Sequence, residues 1–314
     1  MPKPERRPGP VLTLGGFDGV HLGHRQIIAR TRDLARRADA PTALLTYEPL
    51  PAQLTHPDFT YVLTPLAEKV LLFAELGIET VHVVRFDDAL RLTGPEEFVD
   101  REVLGLSPSA VVVGHDHRFG CRGEGDVELL RRRLTAGGVR LEVVPEIEVA
   151  GGPVRSTRIR ERLLLGDVGR AAELLGRPYR LEGQVASGTG TGRRLGFPTL
   201  NLVVGEREKL VPADGVYAVR VELDGREHPG LLNIGHRPTF RGERRTVEAH
   251  LLDVRLDRPP ARAAVLFLVR LRPERKFPDP GALARQIAAD ADRARGLFAG
   301  RGQTLDSPHA SKKI

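Results

Sequence analysis

Residues 14–24 read LGGFDGVHLGH and stand between a short apolar run and a segment with helical periodicity. Their glycines let backbone N–H groups approach an anion closely, and the start of a helix adds partial positive charge. A strand that leads through such a loop into a helix is typical of the carboxyl edge of a parallel α/β sheet, where ligands bind. His21 and His24 share one face of the helix start and can donate hydrogen bonds to phosphate oxygens. The stretch therefore predicts an α/β domain with an anion site.

The pattern that surrounds this loop, from residue 11 to about 150, alternates short apolar runs with helical segments. Such alternation predicts a parallel sheet with helices on both faces. The run AVVV at 110–113 lacks a polar face, as expected of a strand buried on both sides. The predicted strands are Val11–Leu14, Thr42–Thr46, Val81–Val84, Ala110–Val113 and Leu141–Val144. The predicted helices cover about 24–38, 65–76, 96–104 and 124–136.

A different pattern begins near residue 178. Before it, residues 156–175 predict two short helices, with Ser156 and Asp167 as N-caps and Gly166 and Gly176 as stops. Beyond Pro178, Gly, Pro and Asp-Gly signals separate β-rich runs, which predicts a closed barrel or a sandwich. The predicted strands are Tyr179–Ala186, Gly215–Leu223, Gly230–Ile234, Thr246–Asp253 and Ala263–Leu271, followed by a helix over Gly281–Phe298. We therefore expect domains over residues 1–177 and 178–300 and a polar tail over 301–314.

Composition and charge narrow the class of protein. The 314 residues exceed what one core usually serves, and no run of about 18 apolar residues predicts a membrane-spanning helix. The N-terminal residues MPKPERRPGP lack the apolar stretch of a signal peptide, so we expect a cytoplasmic protein. Cys121 is the single cysteine, which argues against a disulfide or a Cys-rich metal site. The net charge of +7 comes from dispersed Arg rather than a basic block interleaved with aromatics, so we expect no nucleic-acid partner.

A second anion site is predicted at Ser156–Arg160, which reads STRIR. Hydroxyl and N–H groups at a helix start, followed by arginine, suit an anion such as a leaving pyrophosphate. The alternative is a capping serine before an arginine-rich helix. For His21 and His24 the alternative is a zinc site, which needs a third and usually a fourth ligand nearby.

A glycine-rich stretch marks another site in the β-rich half. Residues 187–201 read SGTGTGRRLGFPTLN and lack the Gly-Lys-Ser/Thr ending of a Walker loop. If the end of this stretch is extended, Thr199 and Asn201 point to the same side and can share one hard cation. Glu248 alternates with Val247 and Ala249 and therefore faces away from them. It is either a general base for an alcohol or a solvent-facing strand carboxylate.

Six stretches carry a resemblance: Gly15–His24, Val113–Gly120 and Ser156–Arg160 in the first half, and Gly196–Asn201, Asn233–Phe240 and Thr246–His250 in the second. They look like the prokaryotic bifunctional riboflavin kinase/FAD synthetase family, in the same domain order over about residues 11–298. The resemblance implies a Rossmann-like α/β nucleotidyltransferase domain with a parallel sheet. A six-stranded antiparallel β-barrel, the riboflavin kinase domain, and a C-terminal helix would follow. It also implies that ATP phosphorylates riboflavin to FMN, with release of ADP, and then adenylylates FMN to FAD, with release of pyrophosphate.

The resemblance implies roles for particular residues as well. In the first domain, His21 and His24 would act on the ATP phosphates. The other ATP-binding residues there would be Gly15, Phe17, Asp18, Gly23, Asp116, Ser156, Thr157 and Arg160. In the second domain, Glu248 would be the catalytic base, and Thr199 and Asn201 would hold Mg²⁺. Gly192, Gly196, Pro198 and Asn233 would bind ATP, and Arg237 and Arg272 the flavin.

The chain departs from the family's usual residues at a few positions. Gly16 stands where Asn is usual, Leu50 where His often follows Glu-Pro, and His117 where an aromatic residue is common. Arg155 replaces a common Ser, and Leu200 replaces the usual Ala. Two alternatives to a bifunctional enzyme remain: a riboflavin kinase with a weakened adenylyltransferase half, and a basic RNA-binding module on the same fold.

Overall fold

The computed structural model of the chain describes residues 8–56, 58–59, 61–186, 197–204, 209–239, 242–254, 256 and 258–301. These residues divide into two compact units. The first contains the described residues as far as Ile159, together with 174–176 and 209–210. The second contains the remainder, from Arg160 onward. Gly192 and Gly196 lie outside the described residues, as does the side chain of Arg237.

Five parallel strands form the sheet of the first unit, which confirms the predicted α/β fold. They are β1 (Val11–Leu14), β2 (Thr42–Glu48), β3 (Thr80–Arg85), β4 (Ala110–Gly114) and β5 (Arg140–Val144). Their order is β3-β2-β1-β4-β5, so the chain reverses its direction of winding between β1 and β4. In a sheet of this order, ligands bind beyond the carboxyl ends of the two strands at the reversal.

The central strands are buried on both faces, as their apolar runs predicted. Leu12 and Val111 lie in one core cluster, which also contains Phe98. Val11 and Val112 lie in another, with Leu34 of the helix α1 (Leu22–Ala38). Successive residues of one strand therefore serve opposite layers. The other helices of this part are α2 (Pro51–Thr55), α3 (Leu66–Glu75), α4 (Asp88–Leu92), α5 (Pro95–Phe98) and α6 (Val127–Ala136).

The helix predicted over 96–104 is confirmed in position, as part of a helical segment from Pro95 to Leu106, but it is not α-helical throughout. After α5 the backbone widens into a π-helical turn at Val99–Val103 and then narrows into a 3₁₀ turn at Leu104–Leu106. Val99 and Val103 are both fully buried and lie in one core cluster with Phe98. The helix predicted over 124–136 begins later, at Val127, because the Asp126 carboxylate caps it by accepting the Leu129 N–H at 2.9 Å.

The two short helices predicted in 156–175 are confirmed as α7 (Ser156–Leu164) and α8 (Val168–Leu175). Asp167 caps α8 by accepting the Arg170 N–H at 3.2 Å, and positive φ angles at Gly166 and Gly176 end the two helices. The cap predicted at Ser156 is wrong, because α7 already begins at this residue. Its hydroxyl instead donates to the Asp18 carbonyl at 2.8 Å.

The second unit contains a closed barrel of six antiparallel strands, as the resemblance implied. The strands are β6 (Tyr179–Ala186), β7 (Thr199–Val203), β8 (Gly215–Leu223), β9 (Arg226–Thr239), β10 (Gly242–Leu251) and β11 (Arg262–Arg272). Their order is β10-β7-β6-β11-β8-β9. The helix α9 (Pro280–Arg301) follows, and its Ala291 and Ala294 pack against Val216 and Leu271.

Two strands of the barrel differ in length from the prediction. β9 extends far beyond the predicted Gly230–Ile234, because its polar ends pair with both neighbouring strands, Leu223 with Arg226 and Gly242 with Thr239. β10 ends at Leu251, before the predicted Asp253, whose φ of 60° is incompatible with a strand. Within the described part of the chain, no helix is both long and apolar enough to cross a membrane.

Candidate active sites

The loop of residues 15–21, between β1 and α1, has a strained backbone. Phe17 and Val20 have φ angles of 49° and 41°, a region that costs a non-glycine residue on the order of 1–3 kcal/mol. Such angles persist only where the surroundings fix them. We call this segment the β1–α1 loop, and it lies at the carboxyl edge of the sheet, at the predicted anion site.

Asp18 fixes the middle of the β1–α1 loop. The residue is buried, and its Oδ1 atom accepts the N–H groups of Leu63 at 2.9 Å and Thr64 at 3.0 Å. The Asp18 carbonyl accepts the hydroxyl of Ser156 at 2.8 Å. The structure thus joins the two predicted anion segments, residues 14–24 and 156–160, through Asp18 itself. The Asp18 carboxylate is engaged with backbone amides.

His21 and His24 form one stacked pair at the start of α1. Their ring centroids lie 3.5 Å apart with an interplanar angle of 16°. His21 is the N-cap of α1, and its Nδ1 atom accepts the His24 N–H at 3.3 Å. When neutral, the His21 ring therefore carries its proton on Nε2. Phe17 meets the His24 ring edge to face at 5.1 Å.

The zinc alternative for this pair finds no support among the described residues. There, the one group of three possible metal ligands is Asp214, His236 and Glu274, which belongs to the second unit and includes neither His21 nor His24.

The other predicted nucleotide residues of the first half are distributed around this loop. β4 lies beside β1, and Asp116 follows its carboxyl end and is exposed. Gly23 lies against His21, because a Cβ atom there would be 3.2 Å from Cε1 of that ring, so the ring would have to shift to accept a larger residue. Thr157 is exposed at the start of α7, whereas Arg160 belongs to the second unit.

Sequence reasoning missed two residues beneath the β1–α1 loop. The Lys69 ammonium group of α3 donates to the Gly16 carbonyl at 3.2 Å, and the Thr46 hydroxyl of β2 donates to the same carbonyl at 3.4 Å. Both residues are fully buried. The available signal was the four-residue spacing of Lys69 and the apolar Phe73, which places both on the buried face of α3.

The second candidate site is a row of polar side chains across three neighbouring strands of the barrel. Glu248 of β10 pairs with Asn201 of β7 on one side and with Asn233 of β9 on the other. Directly opposed residues project from the same face of an antiparallel sheet, so these three form one row. β7 is extended, which meets the condition for Thr199 and Asn201 to share a side. Glu248 is 8% exposed, which argues against the alternative of a solvent-facing carboxylate.

His250 is a further member of this site that the sequence did not reveal. It pairs with Thr199 across β10 and β7, on the same face as Glu248. Its Nδ1 atom lies 2.8 Å from the carbonyl of Pro198, which can only accept, so His250 donates. Phe197 meets its ring edge to face at 5.4 Å. His250 therefore anchors the chain just before Thr199, and its alternation with Glu248 was the available signal.

Arg272 lies at the end of β11 and is paired with α9. Its Nε atom donates to Asp290 Oδ2 at 2.9 Å, and Asp290 is buried. The guanidinium group also lies over the ring of Phe277, 5.6 Å from its centroid. These contacts fix the direction of Arg272 at the C-terminal edge of the barrel.

Together the two units define a class of protein. A histidine-bearing loop at the reversal point of a parallel sheet suits nucleotide phosphates, and a buried carboxylate flanked by amide side chains suits activation of an alcohol. A chain with both sites is a two-site transferase of phosphorus-containing groups.

Comparison with known proteins identifies the family. The FAD synthetase family model matches residues 3–158, and the riboflavin kinase family model matches residues 175–298. A bifunctional riboflavin kinase/FMN adenylyltransferase of Pseudomonas fluorescens is 38% identical, with 95% of each chain covered. Those of Escherichia coli K12 and Bacillus subtilis are 36% and 34% identical, with 92% of this chain covered. The chain belongs to the bifunctional riboflavin kinase/FMN adenylyltransferase family, and it makes FMN from riboflavin and FAD from FMN with ATP.

A solved structure shares this fold. The crystal structure described as a macrolide-efflux protein from Streptococcus pneumoniae is 30% identical, with a TM-score of 0.85. The similarity covers 92% of this chain and 95% of that one.

Proposed function

We propose that riboflavin is phosphorylated at the Asn201–Glu248–Asn233 row, within residues 178–300, and that FMN is adenylylated at the β1–α1 loop, within residues 1–177. The observation that carries the first assignment is the register that places the buried Glu248 between two amide side chains. A carboxylate in this position is protected from bulk water and flanked by neutral polar groups, as a general base for an alcohol requires.

In the kinase reaction, Glu248 takes the proton of the ribityl 5′-hydroxyl as that oxygen attacks the γ-phosphorus of ATP. The bond from the γ-phosphorus to the oxygen that bridges it to the β-phosphorus breaks, and ADP leaves. Pro198 and Asn233 would bind ATP, as would Gly192 and Gly196. Arg237 and Arg272 would lie on the flavin side, with Asp290 fixing the Arg272 guanidinium group.

The donor set at Thr199 and Asn201 suits Mg²⁺. Hydroxyl and amide oxygens are hard ligands, and the extended β7 strand projects both from one face, next to the Glu248 carboxylate. Thr199 and Asn201 would hold the ion, while His250 keeps the Pro198 backbone in place beside them. When bound, Mg²⁺ neutralises charge on the transferred phosphoryl group.

In the adenylyltransferase reaction, an ionised phosphate oxygen of FMN attacks the α-phosphorus of ATP. The bond from the α-phosphorus to the bridging oxygen breaks, and pyrophosphate leaves without a proton having to be removed from the nucleophile. His21, His24 and the N–H groups of the β1–α1 loop would stabilise charge on the phosphates, with Gly15, Phe17 and Gly23 supplying close backbone approach. Ser156, Thr157 and Arg160 would bind the pyrophosphate, and Asp116 the nucleotide.

Asp18 would have a structural role in the proposed adenylyltransferase site. Its carboxylate already accepts backbone N–H groups of Leu63 and Thr64, and a second anion would be repelled by it. Asp18 would therefore shape the site without touching ATP.

One chromatographic experiment tests both assignments. Purified protein receives riboflavin, excess ATP and magnesium, and the flavins are separated over time. Wild-type protein should show FMN rising first and then falling as FAD rises. Glu248→Gln should form no FMN from riboflavin yet convert supplied FMN to FAD, whereas His24→Ala should accumulate FMN. If either folded variant lost both activities, or neither, the assignment of that residue would be wrong.

The same protein preparation tests the expectation that no nucleic acid binds. Because the arginines are dispersed, a labelled RNA should show no salt-dependent association near physiological ionic strength. Binding that weakens steeply with salt would contradict this expectation.

A further inference from the structure

We infer that Lys69 is a positioning residue for FMN adenylylation, because its buried ammonium group sets the orientation of the peptide bond between Gly16 and Phe17. This inference rests on the proposed adenylyltransferase site at the β1–α1 loop. Lys69 reaches no substrate in this scheme, and it acts through the backbone of that loop.

The contacts of Lys69 are specific. Its Nζ atom lies 3.2 Å from the Gly16 carbonyl oxygen and 3.5 Å from the Thr46 hydroxyl, which itself donates to that carbonyl. The carbonyl thus accepts from two side chains that come from two different elements, α3 and β2. A hydrogen bond from an ammonium group is roughly twice as strong as one between neutral groups.

The energetic cost of this arrangement argues against simple packing. Lys69 is 1% exposed, and burial lowers its pKa, while the negative charges of Asp18 and Glu48 act in the opposite direction. An apolar side chain of similar volume would fill the same space without that desolvation cost. The buried cation therefore points to a contact that an apolar residue cannot make, and the Gly16 carbonyl is that contact.

The orientation of one peptide plane connects this contact to the reaction. In a trans peptide the C=O and N–H groups point in opposite directions, so holding the Gly16 carbonyl toward Lys69 turns the Phe17 N–H away from α3. Among the described residues, no group accepts a hydrogen bond from that N–H. The φ of 49° at Phe17 shows that its N–Cα bond, the next bond along the chain, is held at an unfavourable rotation. Without Lys69, the Gly16 carbonyl keeps only the longer hydrogen bond from Thr46, so the peptide plane and the direction of the Phe17 N–H are held less firmly.

Three substitutions and the two activities of the chain test this inference. Lys69→Met keeps the volume and removes the donor, and we expect kcat for FMN adenylylation to fall about 10- to 100-fold, with a smaller change in KM for ATP. Riboflavin phosphorylation by the same protein should stay within about twofold. Lys69→Arg restores a charged donor and should recover most of the lost kcat. Thr42→Val removes another buried hydrogen-bond donor of the same unit, one that donates to the Gly77 carbonyl at 3.0 Å at the start of β2, and should lower stability without the fall in kcat.

Several results would overturn the inference. A folded Lys69→Met variant with unchanged kcat would do so, as would an equal fall in kcat in Thr42→Val, since the effect would then belong to the stability of the unit. If Lys69→Met does not fold, Thr46→Val tests the inference in its place, because it removes the second donor to the Gly16 carbonyl. This variant should lower kcat for FMN adenylylation about threefold. An unchanged kcat in that variant counts against the inference. Full FAD formation by His24→Ala would instead refute the proposed site, whatever the Lys69 variants do.

Discussion

Leu50 lies against Gly16, with its Cδ2 atom 3.3 Å from the position that a Cβ atom on Gly16 would occupy. Leu50 is buried and precedes α2, while Gly16 belongs to the β1–α1 loop. Both are positions at which the chain departs from the Asn and His that the family usually carries. We therefore expect the glycine at position 16 and the leucine at position 50 to be coupled in packing.

A side chain at position 16 should be destabilising only while Leu50 is present. We expect Gly16→Asn to lower the free energy of unfolding by about 1–3 kcal/mol through overpacking, and Leu50→Ala to remove most of that penalty in the double variant. Urea unfolding of the wild type, the two single variants and the double variant measures the coupling between positions 16 and 50. Gly94→Ala is the matched control, since nothing lies within 4 Å of a Cβ atom there. Additive effects of Gly16→Asn and Leu50→Ala would show that the two positions are independent.

His21 has a structural role that can be separated from its proposed chemical one. His21→Ala removes the N-cap of α1, so we expect a loss of about 1 kcal/mol in the free energy of unfolding together with loss of FAD formation. His21→Asn supplies a good N-cap and should restore the stability but not the FAD formation. Urea unfolding and the conversion of supplied FMN measure the two effects. Full recovery of activity in His21→Asn would reduce His21 to a capping residue.

The stability of the first unit should depend on pH through His117. Burial lowers the pKa of His117 to about 4, and its Nε2 atom is buried with no hydrogen-bond partner among the described residues. Between pH 4 and the ordinary value of 6.5 the unfolded chain binds the extra proton, so the free energy of unfolding falls as pH decreases through this window.

We therefore expect the wild-type protein to lose about 1–3 kcal/mol more than His117→Phe between pH 7 and pH 4. Thermal or urea unfolding across this range measures the difference. His115→Phe, at an exposed position of the same loop, is the control and should follow the wild type. Parallel pH profiles of wild type and His117→Phe would show that His117 is not the responsible group.

Removal of the buried carboxylate should affect only the kinase reaction. We expect Glu248→Gln to lower kcat for riboflavin phosphorylation by about 10²–10⁴-fold, because the amide cannot take the hydroxyl proton. Supplied FMN should still be converted to FAD within about twofold of the wild-type rate. Glu227→Gln alters another strand carboxylate, which pairs with Arg220 at 2.7 Å, and should leave both reactions intact. An equal loss in Glu227→Gln would mean that the barrel, and not Glu248, is sensitive to charge.

The parallel sheet was predictable to within two residues at every strand end, because each predicted strand is mostly apolar. The helical segment over 96–104 was predictable in position, but its change from α to π and then 3₁₀ geometry was not. The short strand β7 entered the prediction only as the condition under which Thr199 and Asn201 share a side, because Thr199–Val203 mixes polar and apolar residues. It gains its strand structure by pairing with β6 and β10.

The candidate sites were likewise predictable from the sequence only in part. Glycines, histidines and hydroxyl residues close together in sequence indicated both sites. The roles of Lys69 and His250 could not be predicted from such clustering, because each donates to a backbone carbonyl that is distant in sequence. Lys69 donates to the Gly16 carbonyl, and His250 donates to the Pro198 carbonyl. A charged residue on a helix ordinarily predicts solvent exposure, whereas Lys69 turns inward to the buried Gly16 carbonyl and is also stabilised by the charges of Asp18 and Glu48.

Lys209 comes late in the chain and yet lies in the first unit, where its ammonium group donates to the Leu63 carbonyl at 2.7 Å and pairs with Glu68 at 2.5 Å. A gene fragment that stops after residue 177 would encode every strand of the parallel sheet and still lack this cation. Leu63, whose N–H holds Asp18, would lose the partner of its carbonyl, and Glu68 would keep an unbalanced charge. The part of the chain that carries the adenylyltransferase site therefore cannot be separated after residue 177 without losing these contacts. A fragment intended to carry that site has to extend beyond residue 210.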